Sequence, residues 1–210
     1  MVITLKKKMI FTIAILSLLT GCAANNEVNN NGNNEEVIIE ENIASEPEKI
    51  TTFTALGKTY ESSKDIMQFN EGDKIYDRLN GNPHVSGEYK EIDFALDLLT
   101  EYLAKNQDAY NYIVSEWDSN SDEVQLISAE DKERLVEEAN FLGEQFMLNA
   151  EDPIYFKLDK VIVQEKLEED NAVALELRGH LSATNDNFRP LGTFTVTVYN
   201  KGDKLYGSIF

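Results

Sequence analysis

The sequence has a single cysteine and few basic residues, and each shortage excludes a class of protein or partner. With Cys22 as the one cysteine among 210 residues, no disulfide can form within the chain, so the fold must rest on core packing. Lys and Arg number 19 against 38 Asp and Glu, which gives a formal net charge of −19. A chain of this charge repels nucleic acid and anionic lipid, so neither is an expected partner by electrostatics.

Sequence motifs of the common enzyme classes are also missing. The chain has no Gly-rich phosphate loop, no zinc-ligand spacing, no nucleophile elbow and no cysteine nucleophile in a catalytic setting. No apolar run reaches the roughly 20 residues that span a bilayer. We therefore expect no cofactor, although scattered acids could still assemble a carboxylate pair in three dimensions.

The N-terminus has the pattern of an export signal. Lysines at 6–8 precede an apolar run over residues 9–19, and small residues follow it. Leu19-Thr20-Gly21-Cys22 resembles the lipobox of bacterial lipoproteins, in which the cysteine thiol takes a diacylglycerol and becomes the new N-terminus. The resemblance implies a signal peptide over residues 1–21, lipidation of Cys22, and a lipid-anchored place on the extracytoplasmic face of the cell membrane.

Other interpretations of this N-terminus stay open. One is an ordinary secretory signal that leaves Cys22 as a free thiol, and another is an uncleaved anchor. A third concerns the octapeptide from Ala14 to Gly21, which resembles the sex-pheromone peptides trimmed from lipoprotein signals in some Gram-positive bacteria.

Residues 22–49 are predicted to be a disordered tether. All 38 acidic residues but only 16 of the 19 basic residues lie beyond Cys22, so the net charge changes from −19 to −22 in the mature chain. The stretch 23–48 is rich in Asn and then Glu, and it contains no basic or aromatic residue. Too little apolar surface is present to offset the ordering entropy, and repulsion among the glutamates extends the segment. The apolar residues Val37-Ile38-Ile39 and Ile43 are the part that could dock on the domain or on a partner.

Residues 50–210 have the composition and length of a single domain. The spacing of Ile92, Ala95, Leu96, Leu99 and Leu103 predicts an amphipathic helix that starts near Glu88. We also predict a shorter helix over Tyr110–Trp117 with Asp108 as its N-cap, and a third helix after the N-cap Ser128. One or two short strands are expected within 51–60, and four further strands are predicted at 156–165, 172–184, 193–199 and 205–210.

The order of these elements predicts an α+β fold. N-terminal helices pack on a C-terminal four-stranded antiparallel meander, because a sheet with one apolar face must bury that face. Helices followed by a long-stranded meander over 88–210 resemble the cystatin-like folds, and within them most closely the nuclear-transport-factor-2-like domains. The resemblance implies a curved sheet that wraps around helices. Members of that superfamily include enzymes, binding modules and adaptors, so it does not choose a function.

Asp118, Asn120 and Asp122 are candidate calcium ligands. Oxygen atoms at alternate positions of a loop can converge on Ca²⁺, and the spacing resembles the start of an EF-hand loop. The sequence departs from that pattern where Glu123 replaces the glycine of the sharp turn and Ala129 replaces the twelfth-position glutamate. The alternative is a capped, solvated loop between two helices.

Glu176, Arg178 and His180 are candidates for catalysis, because they project from one face of a predicted strand. On a curved sheet that face could line a pocket, and histidine is the usual proton-transfer residue near neutral pH. The alternative is an ordinary exposed strand face with a charge pair. The second histidine, His84, is expected to be a loop residue without a further role.

Four aromatic residues cluster in the second half of the helical region: Tyr102, Tyr110, Tyr112 and Trp117. Most should be core residues, and one or two that stay exposed could anchor a partner. The favoured hypothesis is a non-enzymatic, membrane-tethered binding or adaptor domain for a protein or peptide partner. The alternatives are an enzyme with a pocket between helices and sheet, and a calcium-dependent surface protein.

Overall fold

The structure, a computed structural model, describes residues 52–148 and 152–210, which form a large mixed sheet with two α-helices. These residues fall in one compact unit. The predicted signal peptide (1–21) and tether (22–49) lie outside the described residues.

The helices and strands alternate along the described chain in five groups. Short strands come first: β1 (Phe53–Ala55), β2 (Lys58–Tyr60) and β3 (Lys74–Asp77). Helix α1 (Lys90–Leu103) follows, and then the small strands β4 (Val114–Glu116) and β5 (Gln125–Leu126) and helix α2 (Ala129–Gln145). The long strands β6 (Tyr155–Leu167), β7 (Ala172–Ser182), β8 (Leu191–Lys201) and β9 (Lys204–Ile209) end the chain. Short 3₁₀ helices occur at Ile66–Gln68, Arg78–Asn80, Gln107–Tyr112 and Glu168–Asp170.

The main sheet has seven strands in the order β2-β1-β9-β8-β7-β6-β3, where the sequence predicted a four-stranded meander and one or two short strands within 51–60. Strands β6 to β9 pair antiparallel in sequence order, and β3 joins β6 on one side. On the other side, β1 joins β9 in parallel through Thr54 and Lys204, and β2 is the edge strand. The added strands have three or four residues each. Strands this short show too little alternation of apolar and polar residues for the sequence pattern to identify every one of them.

The core lies between α1 and one face of this sheet. On β7, Leu175, Leu177 and Leu181 are fully buried, which confirms the predicted apolar face. Gly207 of β9 permits close packing of the helix, since a Cβ atom there would lie 2.5 Å from Cδ2 of Leu98. Helix α1 therefore lies directly on the strands at the centre of the sheet.

Two predicted helices are confirmed by their buried stripes or caps. In α1, Ile92, Ala95 and Leu99 are fully buried, as their spacing predicts. Helix α2 begins after Ser128, whose hydroxyl accepts a hydrogen bond from the backbone N of Asp131 at 3.1 Å. This hydroxyl satisfies one of the free amides of the first turn.

The predicted helix over Tyr110–Trp117 is wrong. Its place is taken by the 3₁₀ turn at Gln107–Tyr112 and by β4, and the capping side chain is Asn106, which accepts from the backbone N of Asp108 at 3.1 Å. The helical spacing covered only two turns, which is too short to identify a helix. The β-branched Ile113 instead forms a parallel bridge to Gly207, because extended backbone suits such side chains.

Candidate functional site

The edge strand β2 borders an open cleft of about 630 Å³, which we call the β2–α1 cleft. It is lined by residues 58–61, by His84, Ser86 and Gly87 of the following loop, and by Asp93, Leu96 and Asp97 of α1. Its volume lies within the roughly 300–1,000 Å³ of small-molecule sites. The cleft is therefore large enough to hold several atoms of a ligand or a short piece of a partner.

Asp97 of α1 is held by two partners from β2. Its Oδ2 accepts a hydrogen bond from Tyr60 Oη at 2.8 Å, and its Oδ1 lies 3.0 Å from Lys58 Nζ. Tyr60 is 4% exposed and packs edge-on against Phe94, with ring centroids 5.7 Å apart. Burial, and then the hydrogen bond to Asp97, raise the pKa of Tyr60 well above its usual value. The hydroxyl consequently stays protonated and acts as a donor.

Asp93, one helical turn before Asp97, ties the loop of residues 82–89 to α1. Its Oδ1 lies 2.9 Å from Nε2 of His84, and its Oδ2 accepts from the backbone N of Gly87 at 2.6 Å. The side chains of His84 and Asp93 are 17% and 12% exposed. A carboxylate in the first turn also interacts favourably with the helix dipole. Asp93 therefore fixes both the loop and the imidazole ring.

The polar groups of the cleft are arranged for recognition. Three carboxylates, those of Glu61, Asp93 and Asp97, oppose the single ammonium group of Lys58. The site thus offers fixed acceptors and a net negative charge, which can orient a polar or cationic ligand.

A second cavity of about 510 Å³ also borders β2. Thr59, Thr54 and Lys204 are register partners across β2, β1 and β9, and all three line it. Tyr112 and Tyr206 complete the lining with ring centroids 6.5 Å apart. Since Thr59 contributes to both cavities, β2 borders open space on two sides.

The predicted catalytic residues lie elsewhere, on the face of β7 opposite the buried leucines. Arg178 Nε contacts a carboxylate oxygen of Glu176, and Nδ1 of His180 contacts Oδ2 of Asp159. The side chain of His180 is 39% exposed, and it lines neither of the two cavities above. A catalytic role for these residues stays a prediction.

The predicted calcium ligands Asp118, Asn120 and Asp122 lie in the connection between β4 and β5. Oδ1 of Asp118 accepts from the backbone N of Asn120 at 2.9 Å, which is a local turn contact. The ammonium group of Lys201 contacts the carbonyl oxygens of Ser119, at 3.1 Å, and Ser121. A cation from the protein itself is therefore already bound to this connection.

The four predicted aromatic residues are all at least partly buried. Tyr102 and Tyr110 belong to the core, as predicted. The ring of Trp117 stacks on Tyr199 at 4.5 Å, and its Nε1 donates to the carbonyl oxygen of Asp170 at 3.0 Å. These contacts fix Trp117 to the sheet.

Sequence reasoning missed the residues that line the cleft. Asp93 and Asp97 stand at i and i+4 of a predicted helix, and this spacing was the available signal that they share a face. The partners of Asp97 come from a distant segment, since Tyr60 is 37 residues away, whereas those of Asp93 lie in the loop just before α1. His84, expected to be a simple loop residue, is one of these partners.

Comparison of the chain with protein-family models, with curated proteins and with solved structures finds no match. Over residues 52–148 and 152–210, no helix is long and apolar enough to cross a membrane. The same residues contain no group of three or more His, Cys, Asp or Glu side chains placed to hold a metal ion.

Proposed function

We propose that this protein is a lipid-anchored extracytoplasmic lipoprotein whose domain binds a protein or peptide partner in the β2–α1 cleft. The anchor is supported by the lipobox-like Leu19-Thr20-Gly21-Cys22, which directly follows a basic and apolar signal and contains the one cysteine of the chain. The acidic segment over 22–49 is then a spacer between the membrane and the domain.

The observation that carries the binding function is that an edge strand of the sheet borders a cleft with fixed polar groups. Asp97 is held by Tyr60 and Lys58, and Asp93 is held against His84. Groups that are already ordered lose little entropy when a partner binds. The raised pKa of Tyr60 keeps its hydroxyl protonated, so its hydrogen bond to Asp97 holds that carboxylate in place.

We also propose that the domain belongs with the cystatin-like folds, and within them with the nuclear-transport-factor-2-like domains. This assignment is supported by helix α1 on one face of β6 to β9, which pair antiparallel in sequence order. The three added strands widen the sheet beyond the four that the resemblance implied.

The two alternative functions remain predictions with specific obstacles. An enzyme built on His180 needs a pocket on the outer face of the sheet, where this ring is 39% exposed. A calcium site at Asp118 needs the divalent ion to displace or tolerate the ammonium group of Lys201. The β2–α1 cleft meets neither obstacle.

The anchor is tested by replacing Cys22 with Ala. Loss of the thiol removes the lipid acceptor, so the domain should leave the membrane fraction or the precursor should accumulate unprocessed. Metabolic labelling with a fatty acid measures the modification directly. A wild-type protein that takes up no label would contradict the proposed anchor.

The cleft is tested with a displayed peptide library selected on the mature chain carrying Cys22→Ser. Selected peptides are then measured on Ser86→Trp, which places a large ring in the cleft at an exposed position. The matched control is Thr193→Trp, also at an exposed position but on β8, away from the cleft. We expect binding to weaken about tenfold or more in Ser86→Trp, about 1.4 kcal/mol, and to be unchanged in the control.

Two results would contradict this assignment of the cleft. One is a library from which no peptide is enriched on the wild-type protein. The other is a set of selected peptides that bind Ser86→Trp as tightly as they bind the wild-type chain.

A further inference from the structure

The pairing of β1 with its two neighbours determines whether the backbone N–H and C=O groups of each β2 residue point toward β1 or toward the open edge of the sheet. The N–H of Thr54 donates to the carbonyl oxygen of Asp203 at 2.8 Å, so Thr54 turns its backbone groups toward β9. Neighbouring residues of a strand present their backbone groups to opposite sides. Phe53 and Ala55 therefore turn their backbone N–H and C=O groups toward β2, where their register partners are Tyr60 and Lys58.

Thr59 must then turn its N–H and C=O away from β1, toward the open edge of the sheet. Among the backbone hydrogen bonds of turns, loops and caps in the described ranges, none involves Thr59. The residue is exposed and lines the β2–α1 cleft. Farther along the chain the loop does pair, because Ser63 N donates to the carbonyl oxygen of Gly87 at 3.2 Å. Within the described residues, the edge is thus open at Thr59 and paired again at Ser63.

The opposite edge of the sheet is covered by its own chain. Asp77 of β3 and Asn82 exchange two backbone hydrogen bonds, each of 3.0 Å, and the Asn82 side chain donates to the carbonyl oxygen of Ile75. Proteins usually protect sheet edges in such ways, since an open edge pairs with other chains. Within the described residues, the backbone groups of Thr59 have no such cover, although β2 is short and carries Lys58.

We propose, resting on the function proposed above, that the partner binds as an extended basic segment that adds to the sheet as a further strand along β2. The backbone groups of Thr59 pair with the segment, as in other cases of strand addition. Alternate side chains of the segment enter the cleft, where Glu61, Asp93 and Asp97 outnumber the single cation Lys58. This charge balance selects Lys or Arg at those positions.

The test uses an acetylated and amidated peptide of four Lys-Val repeats with the mature chain carrying Cys22→Ser. A peptide of four Glu-Val repeats has the same β-propensity pattern and the opposite charge. Calorimetric titration should show saturable binding of the Lys-Val peptide and none of the Glu-Val peptide. Equal binding of both would overturn the choice of a basic partner.

Methylation of single peptide amides tests the backbone pairing. Because Thr59 is the one residue of β2 that turns its backbone outward, affinity should fall about tenfold, or 1.4 kcal/mol, when the peptide amide that donates to the Thr59 carbonyl oxygen is methylated, and change little at the other positions. A uniform effect overturns strand addition. If the library peptides bind the cleft but show no single position that is sensitive to methylation, this inference fails while the proposed function stands; if no peptide binds, both fail.

Two other occupants of the edge give different results. A second copy of the chain would appear in sedimentation velocity as a dimer that the Lys-Val peptide dissociates. The chain's own apolar segment at 37–39 would compete with the peptide, so Ile38→Asp would strengthen peptide binding about tenfold. Either result overturns the extended basic partner, whereas a monomer with unchanged affinity in Ile38→Asp supports it.

Discussion

Substitution of phenylalanine for two buried tyrosines is expected to change the free energy of unfolding in opposite directions. The hydroxyl of Tyr60, a residue 4% exposed, donates to Asp97 at 2.8 Å. The hydroxyl of Tyr110, which is fully buried, has no hydrogen-bond partner in the part of the chain that the structure describes. Both substitutions remove one oxygen atom, so the difference isolates the hydrogen bond.

The expected magnitudes follow from what each hydroxyl contacts. A hydrogen bond to a charged group contributes about 1.5–3 kcal/mol, and Tyr60→Phe should cost about 1–2 kcal/mol because Asp97 is 30% exposed and regains water. A buried hydroxyl without a partner costs about 1–3 kcal/mol, so Tyr110→Phe should stabilise the domain by about 1 kcal/mol. In a domain of this size, each kcal/mol shifts the melting temperature by about 2–4 °C.

Urea denaturation measures both variants, with the fluorescence of Trp117 as the probe, since the chain has one tryptophan. The midpoint should fall in Tyr60→Phe and rise in Tyr110→Phe, with the slope unchanged in both. If Tyr110→Phe is as destabilising as Tyr60→Phe, the buried hydroxyl of Tyr110 has a hydrogen-bond partner and the expected stabilisation is wrong.

Two further predictions concern packing and pH. A Cβ atom at Gly179 would lie 2.3 Å from the carbonyl oxygen of Lys157 and 2.6 Å from the ring of Phe156, so Gly179→Ala should cost about 1–3 kcal/mol or more in urea denaturation. A wild-type midpoint in that variant would disprove the close approach. Burial raises the pKa of both Tyr60 and Tyr102. Because the folded-state pKa is the higher one, the stability they contribute is fully present below the ordinary pKa of about 10 and is lost as the pH rises above it. Urea midpoints that stay constant from about pH 9 to 11 would contradict this prediction.

Long periodic segments of the fold could be predicted from the sequence, and short or non-local features could not. The buried residues of α1 recur every three or four positions, and the cap Ser128 stands directly before its helix. Both are local patterns that the sequence displays. Strand β3 has four residues and depends on pairing with β6, far along the chain. Prediction of the cleft is limited in the same way. The helical spacing places Asp97 on one face of α1, but its partner Tyr60 is 37 residues away along the chain.

Amide hydrogen exchange at Thr59 in the unliganded protein tests whether β2 presents an open edge to the cleft. The amides of Lys58 and Tyr60 face β1, whereas the amide of Thr59 faces solvent. Nuclear magnetic resonance should therefore find fast exchange at Thr59 between two protected neighbours. Protection of Thr59 equal to that of Lys58 and Tyr60 would show that this edge is already paired, which would contradict an open edge at β2.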